Sequence, residues 1–280
     1  MKQESESIQV LKINKKLLLR GLILLWSLII LFLGFADVFL NHYEWADSHA
    51  IQSLVDIAAD DGLPNWFSSI QLLAIAIVLW MILFVLLYSK PNLIKKKTEK
   101  IGWGISALFF TYLAVDDGSM LHESVGTAFS NSIEARHEYN PSFISNLFDV
   151  FPSYGWQFVF VPVFGLIAIF MLLFLFKNLK TKNQMILIVL GFSCFVASVF
   201  IDFFEELDVS VYDGIISFFN TDLDTVEHFS RLIEEVFEMV GNTFFMAAFA
   251  QQLIRLAKNW KVQLVDSVSK IEEGEENVIK

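Results

Sequence analysis

Apolar residues fill this chain in long unbroken blocks, not in the alternation of a strand or the single stripe of a soluble helix. A helix that crosses a bilayer needs roughly 20 mostly apolar residues. Six windows meet that length: Lys16–Leu40, Trp66–Ser89, Ile101–Glu123, Trp156–Phe176, Met185–Phe204 and Glu227–Leu256. The pattern predicts an all-α protein, a six-helix transmembrane bundle spanning residues 16–260, between a short N-terminal segment (1–15) and an acidic tail (261–280). The first window has an apolar core longer than the usual h-region of a secretory signal and no A-x-A cleavage pattern after it, so it reads as a retained anchor.

Three stretches between the windows keep helical spacing. HAIQSLVDIAADDG places Ile51, Leu54, Val55 and Ala58 on one face, and FISNLFDVF and IISFFN behave alike. They predict short interfacial helices in the outer loops, packed over the bundle or closing a site as a lid.

Charge then orients the windows. Lys12, Lys15, Lys16 and Arg20 precede the first, SKPNLIKKKTEK joins the second to the third, KNLKTK joins the fourth to the fifth, and Arg255, Lys258 and Lys261 follow the sixth. Cations beside span ends stay on the cytoplasmic side, so both termini are expected in the cytoplasm, as in a multi-pass protein of a bacterial cytoplasmic membrane. Of the cations only Arg136 and Arg231 fall on the other side, against Glu44, Asp47, Asp56, Asp60, Asp61, Asp208, Asp213, Asp222 and Asp224. The net charge of −11 thus combines a basic inner face with an acidic outer one. Trp45, Trp66 and Trp156 are expected as outer aromatic anchors and Trp103 and Trp260 as inner ones. With 55% apolar residues, 29 Phe and a mean hydropathy of +0.55, the expected solvent and first partner is the lipid bilayer. Cys194 is the single cysteine, which excludes a disulfide framework, a thiolate zinc site and a redox pair. No feature supports nucleic-acid binding, and no P-loop, G-x-S-x-G, G-x-G-x-x-G or Cys/His pair appears.

The chemistry gathers where three windows meet the acidic side. The third ends AVDDGSMLHE, with Asp116, Asp117, His122 and Glu123; as one continuous helix it puts Asp116 and Glu123 on a shared face and turns His122 away. The fifth ends IDFFEEL, where Asp202 and Glu206 share a face, and Glu205 and Glu206 read as a solvated rim. The sixth carries EHFSRLIEEVFEMVGN, with Glu227, Arg231, Glu234 and Glu238 on one stripe and His228, Glu235 and Asn242 on the next. Counted inward from Glu227, Glu238 falls about 16 Å deep, near the bilayer midplane, where a carboxylate costs at least ~3 kcal/mol. One guanidinium cannot neutralise so many acids, so protons or metal ions must supply the rest. Carboxylates with imidazole suit zinc, iron or manganese, and Asp117, His122, Glu123, Asp202, His228, Glu235 and Glu238 are the expected ligands of a divalent metal ion. Glu235, Glu234 and Arg231 are the expected catalytic residues. Asp37, Gln71 and Gln157 are single polar residues at that level, expected to support or flank the site. The Glu-x-x-His pairs of di-iron bundles and the H-E-x-x-H zinc motif are absent.

The D-D-x-x-x-L-H-E run at Asp116, Asp117, His122 and Glu123, with E-E-x-x-E at Glu234, Glu235 and Glu238, resembles a recurring set of bacterial polytopic membrane proteins with no assigned activity. In that set a Glu is expected where Asp117 stands. The resemblance implies a bacterial multi-pass protein and names no substrate.

Three functions are compatible with these residues. A metal-dependent membrane enzyme would direct a metal-bound water at a lipid-linked or small membrane-soluble substrate. A transporter for a divalent cation or a proton-coupled solute would also carry buried acids, but the inner halves WMILFVLL, AIFMLLFLF and MILIVLGF offer it few polar steps. A sensor, or a subunit of a larger membrane assembly, would use the outer loops to meet a partner.

Overall fold

The computed structural model describes residues 14–257 except 46, 60, 89–96, 138–141, 152–153, 206 and 208, and only the backbone of 134, 136, 137 and 149. Lys12, most of the cationic second connection, Glu206, Asp208, Trp260 and the tail 261–280 lie outside the described residues. Within them, regular structure is entirely helical. Helix α1 (Lys15–Asp37) continues through a π-helical turn (Val38–His42), and α2 (His49–Val55) leads to α3 (Leu63–Tyr88). Then follow α4 (Lys97–Ser119), α5 (Leu121–His137), α6 (Phe143–Val150), α7 (Gly155–Asn178) and α8 (Lys182–Glu205). A 3₁₀ turn (Val209–Tyr212) and α9 (Asp213–Phe219) precede the 34-residue α10 (Leu223–Leu256). Side-chain caps set several starts: Asn14 accepts from the amides of Lys16 and Leu17, Ser142 from Ser145, and Asp222 from Thr225.

Four segments are long and apolar enough to cross a membrane: Lys15–His42, Leu63–Tyr88, Gly155–Asn178 and Lys182–Glu205. The other two long helices, α4 and α10, carry more acids, and most of these are buried or half-buried by packing. Helix α10 lies against α1, α3 and α8, and α4 lies along α3 and touches α7. Gly191 and Gly241 let α8 and α10 close up, with Phe245 over the first and Phe195 over the second.

The core sits midway along the bundle. Phe110 meets Phe245 and Phe249 edge to face, and Ile75, Leu79 and Ile82 of α3 are wholly buried beside them. Trp103 joins this core: it is fully buried against Phe174 and Phe249, not anchored at an interface, because Gly102 leaves room for Phe174 to reach over it.

The third window is not one helix. It breaks at Met120, whose φ of 51° is left-handed, and α5 starts at Leu121 on a new axis. Asp116 holds the break, accepting from the His122 amide at 2.8 Å in the manner of a helix cap. Helix α5 then lies against the start of α7, where Gly126 meets the Trp156 backbone and Gly155 meets Ser130. Helices α6 and α9 fall where the sequence predicts short helices, with Phe143, Val150, Phe218 and Phe219 strongly exposed. Helix α2 is shorter than predicted and ends before Ala58.

Cross-helix hydrogen bonds give the level of Glu238 along the bundle. Asn242 bonds to Ser68 in the second turn of α3, so Glu238, about 6 Å nearer the start of α10, is level with the first turn of α3. Glu238 likewise meets Ser198, which is about 24 Å along the roughly 36 Å of α8. Glu238 thus lies about 12 Å from the end of α8 that carries Asp202 and Glu205.

Candidate functional site

At the end of the bundle where α8 finishes and α10 begins, three carboxylates converge. Asp202 and Glu205, one turn apart on α8, face Glu234 of α10, and one oxygen of each lies within 4.8 Å of the others. Neighbouring side chains fix two of the three. Gln157 of α7, buried, donates to Asp202 Oδ2 at 2.6 Å, and Arg231 Nε donates to Glu205 Oε2 at 3.3 Å. The Glu205 side chain is only 8% exposed, and among the described residues its Oε1 has no hydrogen-bond donor. Glu205 is therefore not a solvated rim charge: Arg231, reaching from the neighbouring helix, draws it inward. The face-sharing partner of Asp202 in the cluster is Glu205; Glu206 lies outside the described residues.

Beside these acids is a cavity of about 690 Å³. Asp202, Glu205, Arg231, Glu234 and Glu235 form one wall, Glu123, Thr127 and Ser130 of α5 another, and Phe148, Phe151, Tyr154 and Trp156 an aromatic rim. The break at Met120 gives the cavity its second wall, because an unbroken third window would carry Glu123 along the α4 axis.

The remaining sequence-predicted ligands go elsewhere. His122 points its Nδ1 at Asp116 Oδ2, 2.9 Å away, and its ring packs on Trp156, so it faces Asp116 and not away from it. Glu123 Oε1 is 3.9 Å from His122 Nε2, with a side chain 46% exposed. Asp117 bonds to Ser68 between α3 and α4, and Glu238 accepts from Ser198 Oγ at 2.7 Å. His228 Nε2 lies 3.0 Å from Asp37 Oδ2 in a network away from the three acids. The structure thus brings Asp202 and Glu234 together with Glu205, sets Glu235 and Glu123 on the cavity wall, and commits each of the two histidines to an aspartate.

Sequence reasoning underrated Glu205; Gln157, expected beside the site, bonds to Asp202 there. The i,i+3 spacing of Asp202 and Glu205 was readable; the approach of Arg231 and Gln157 from other helices carries no local signal. Chemically, three carboxylates beside one guanidinium form an electron-rich, oxygen-only donor set that calls for a cation or for protons.

A family model described as a domain of unknown function (DUF8692) matches residues 21–253. The chain belongs to the DUF8692 family. The DUF8692 match runs from within α1 to the last turns of α10 and takes in every residue of the cavity wall. No curated protein and no solved structure matches the chain.

Proposed function

We propose that this chain crosses a bacterial cytoplasmic membrane six times, with both termini in the cytoplasm, and is a metal-dependent enzyme acting on a lipid-linked or small membrane-soluble substrate. The observation that carries the reading is the convergence of Asp202, Glu205 and Glu234 within 4.8 Å beside the cavity, with Glu205 Oε1 lacking a donor among the described residues. In this reading those three carboxylates hold one divalent ion, and the absence of imidazole from the set favours manganese over iron or zinc. A divalent ion held there would supply a water-derived nucleophile at neutral pH. Gln157 and Arg231 hold two of the carboxylates in orientation, and Glu235 on the cavity wall would serve as the base that takes a proton. The exposed apolar side chains Phe143 and Val150 of α6, the helix whose Phe148 lines the cavity, support a cavity mouth near the lipid surface, where a membrane-borne substrate would arrive.

Six crossings are supported by the way α4 and α10, too acidic to face lipid, are screened by the four apolar helices. The cationic connections alternate with acidic ones as the positive-inside rule requires.

The transporter reading needs a route through the bundle, and packing argues against it. On α10, Phe245, Met246, Ala247, Ala248 and Phe249 are all at most 4% exposed between the polar residues Thr243 and Gln252, about 13 Å of apolar floor. Elemental analysis of protein purified in mild detergent tests the proposal. Near-stoichiometric metal is expected in the parent and little in Glu234→Ala or Asp202→Ala; a parent that takes up no manganese, iron or zinc on reconstitution would refute the metal centre. Divalent-cation flux into proteoliposomes would instead favour transport.

A further inference from the structure

The walls of the cavity are short of positive charge. Among the described residues, Glu123, Asp202, Glu205, Glu234 and Glu235 line it with Arg231 as their one cation, and Arg231 Nε already donates to Glu205. A divalent ion on Asp202, Glu205 and Glu234 would still leave negative charge in excess. The demand is local as well as formal: the Glu205 side chain is only 8% exposed, and its Oε1 has no hydrogen-bond donor among the described residues. Such a cavity repels an anionic group and draws in a cationic one.

The rest of the lining decides which cation. Phe148, Phe151, Tyr154 and Trp156 line the cavity and are half-buried. Phe148 and Phe151 are both held by Phe158 of α7, with ring centroids 5.7 and 5.3 Å apart. Trp156 packs on His122 at 4.7 Å, and Glu123 Oε1 lies 3.9 Å from Nε2 of the same imidazole. The indole and the Glu123 carboxylate therefore flank one ring, and the close contact of Gly126 with the Trp156 backbone keeps them together. A hard metal ion seeks oxygen ligands and gains little from benzene rings. An organic ammonium is attracted to an aromatic face and also donates N–H bonds to a carboxylate.

We infer that the cavity takes the protonated primary amine of its substrate, an alkylammonium seated between Glu123 and the aromatic rim at Trp156. The inference names the substrate class of the site proposed above and rests on that reading for the role of the cavity, but not on the metal. A primary ammonium brings three donors to acceptor-rich walls, and its alkyl chain suits the rings of Phe148 and Phe151. At about 690 Å³ the cavity has room for more of the molecule than the ammonium alone. A free amine and an aminophospholipid headgroup share this chemistry.

Saturation-transfer NMR on the detergent-purified full chain tests the assignment, with n-butylammonium as the probe and butanol and butyrate as neutral and anionic controls. Saturable transfer is expected to butylammonium alone. Glu123→Gln and Trp156→Leu should each raise its dissociation constant about 2–5-fold. Competition identifies the source: displacement by phosphatidylethanolamine in mixed micelles but not by ethanolamine marks a lipid headgroup, the reverse marks a free amine, and phosphatidylglycerol should displace nothing. Equal transfer to butanol and butylammonium would show a cavity that reads only apolar chains and would overturn the inference. So would a dissociation constant unchanged in both variants. Should Trp156→Leu fail to fold, Glu123→Gln, which keeps size and removes charge, decides alone. Repeating the titration in chelator separates this inference from the metal centre. Binding that survives in metal-free protein stands even where the centre fails, and metal-loaded protein that ignores butylammonium overturns the substrate class alone.

Discussion

Removing the Asp37 carboxylate should unfasten three parts of the chain at once. Asp37 ends α1 and is 0% exposed. Its Oδ1 accepts from Asn41 Nδ2 at 2.9 Å and from the Ile57 amide at 3.1 Å, and its Oδ2 lies 3.0 Å from His228 Nε2. The π-helical turn, the segment after α2 and the start of α10 are thereby tied to one side chain. A hydrogen bond to a charged group contributes about 1.5–3 kcal/mol, and breaking one partner of a buried pair costs about 3–5 kcal/mol. The contacts share an acceptor, so they do not simply add, and His228, 23% exposed, recovers some hydration when released. Asp37→Ala should therefore cost roughly 3–5 kcal/mol, and His228→Ala, which leaves two donors on Asp37, roughly 2–3 kcal/mol. For a domain of this size, 3 kcal/mol corresponds to a fall in Tm of about 6–12 °C. Thermal unfolding in mild detergent, completed to a double-mutant cycle, measures the coupling between the two residues. Bound metal per folded molecule should stay at the parent level in both variants, since His228 is absent from the carboxylate set. Losses below about 1 kcal/mol for each single variant, with no coupling, would refute the clamp.

Four other changes follow from the same geometry. Gln157→Leu removes the short bond to Asp202 and should weaken metal binding by about 10–100-fold, read by equilibrium competition with a fluorescent chelator. Gly126→Val drives a side chain into the Trp156 backbone and should cost about 1–3 kcal/mol, with a shift in tryptophan emission as α5 leaves α7; an unchanged spectrum and Tm would contradict that packing. Phe249→Ala opens a hole in the aromatic core and should cost about 3–5 kcal/mol by the same thermal assay. Burial raises the Tyr212 phenol above the ordinary tyrosine range, outside the long helices. Its contribution to stability is thus complete below the ordinary tyrosine pKa and lost as the pH climbs through its own raised value, and Tyr212→Phe should flatten that alkaline decline in Tm.

Much of the architecture was legible because bilayer-length apolar runs are local signals. The six long helices, the helical stretches at α6 and α9 and the acids on α8 and α10 could all be read in this way. The break at Met120 could not: neither Gly nor Pro occupies the left-handed position, and the Asp116 carboxylate that caps the new helix belongs to the preceding one. From that single misreading came the wrong face for His122 and the missing wall of the cavity. Glu205 shows a further limit. An acid at a helix end reads as solvated until a cation from another element is known to reach it, and only tertiary packing supplies Arg231.

The apolar floor formed by Phe110, Phe245 and Phe249 has an electrical consequence for a chain that crosses the membrane as proposed. Voltage falls where the medium is least polarisable, so most of the membrane potential would drop across those rings and the greasy half beneath them. An ion moving through the whole field gains or loses about 2.3 kcal/mol per charge per 100 mV. One that reaches Asp202, Glu205 and Glu234 from the acidic end would travel through little of it. Occupancy of the carboxylates would then be the same in energised and de-energised cells, and would follow only the concentration of the ion outside.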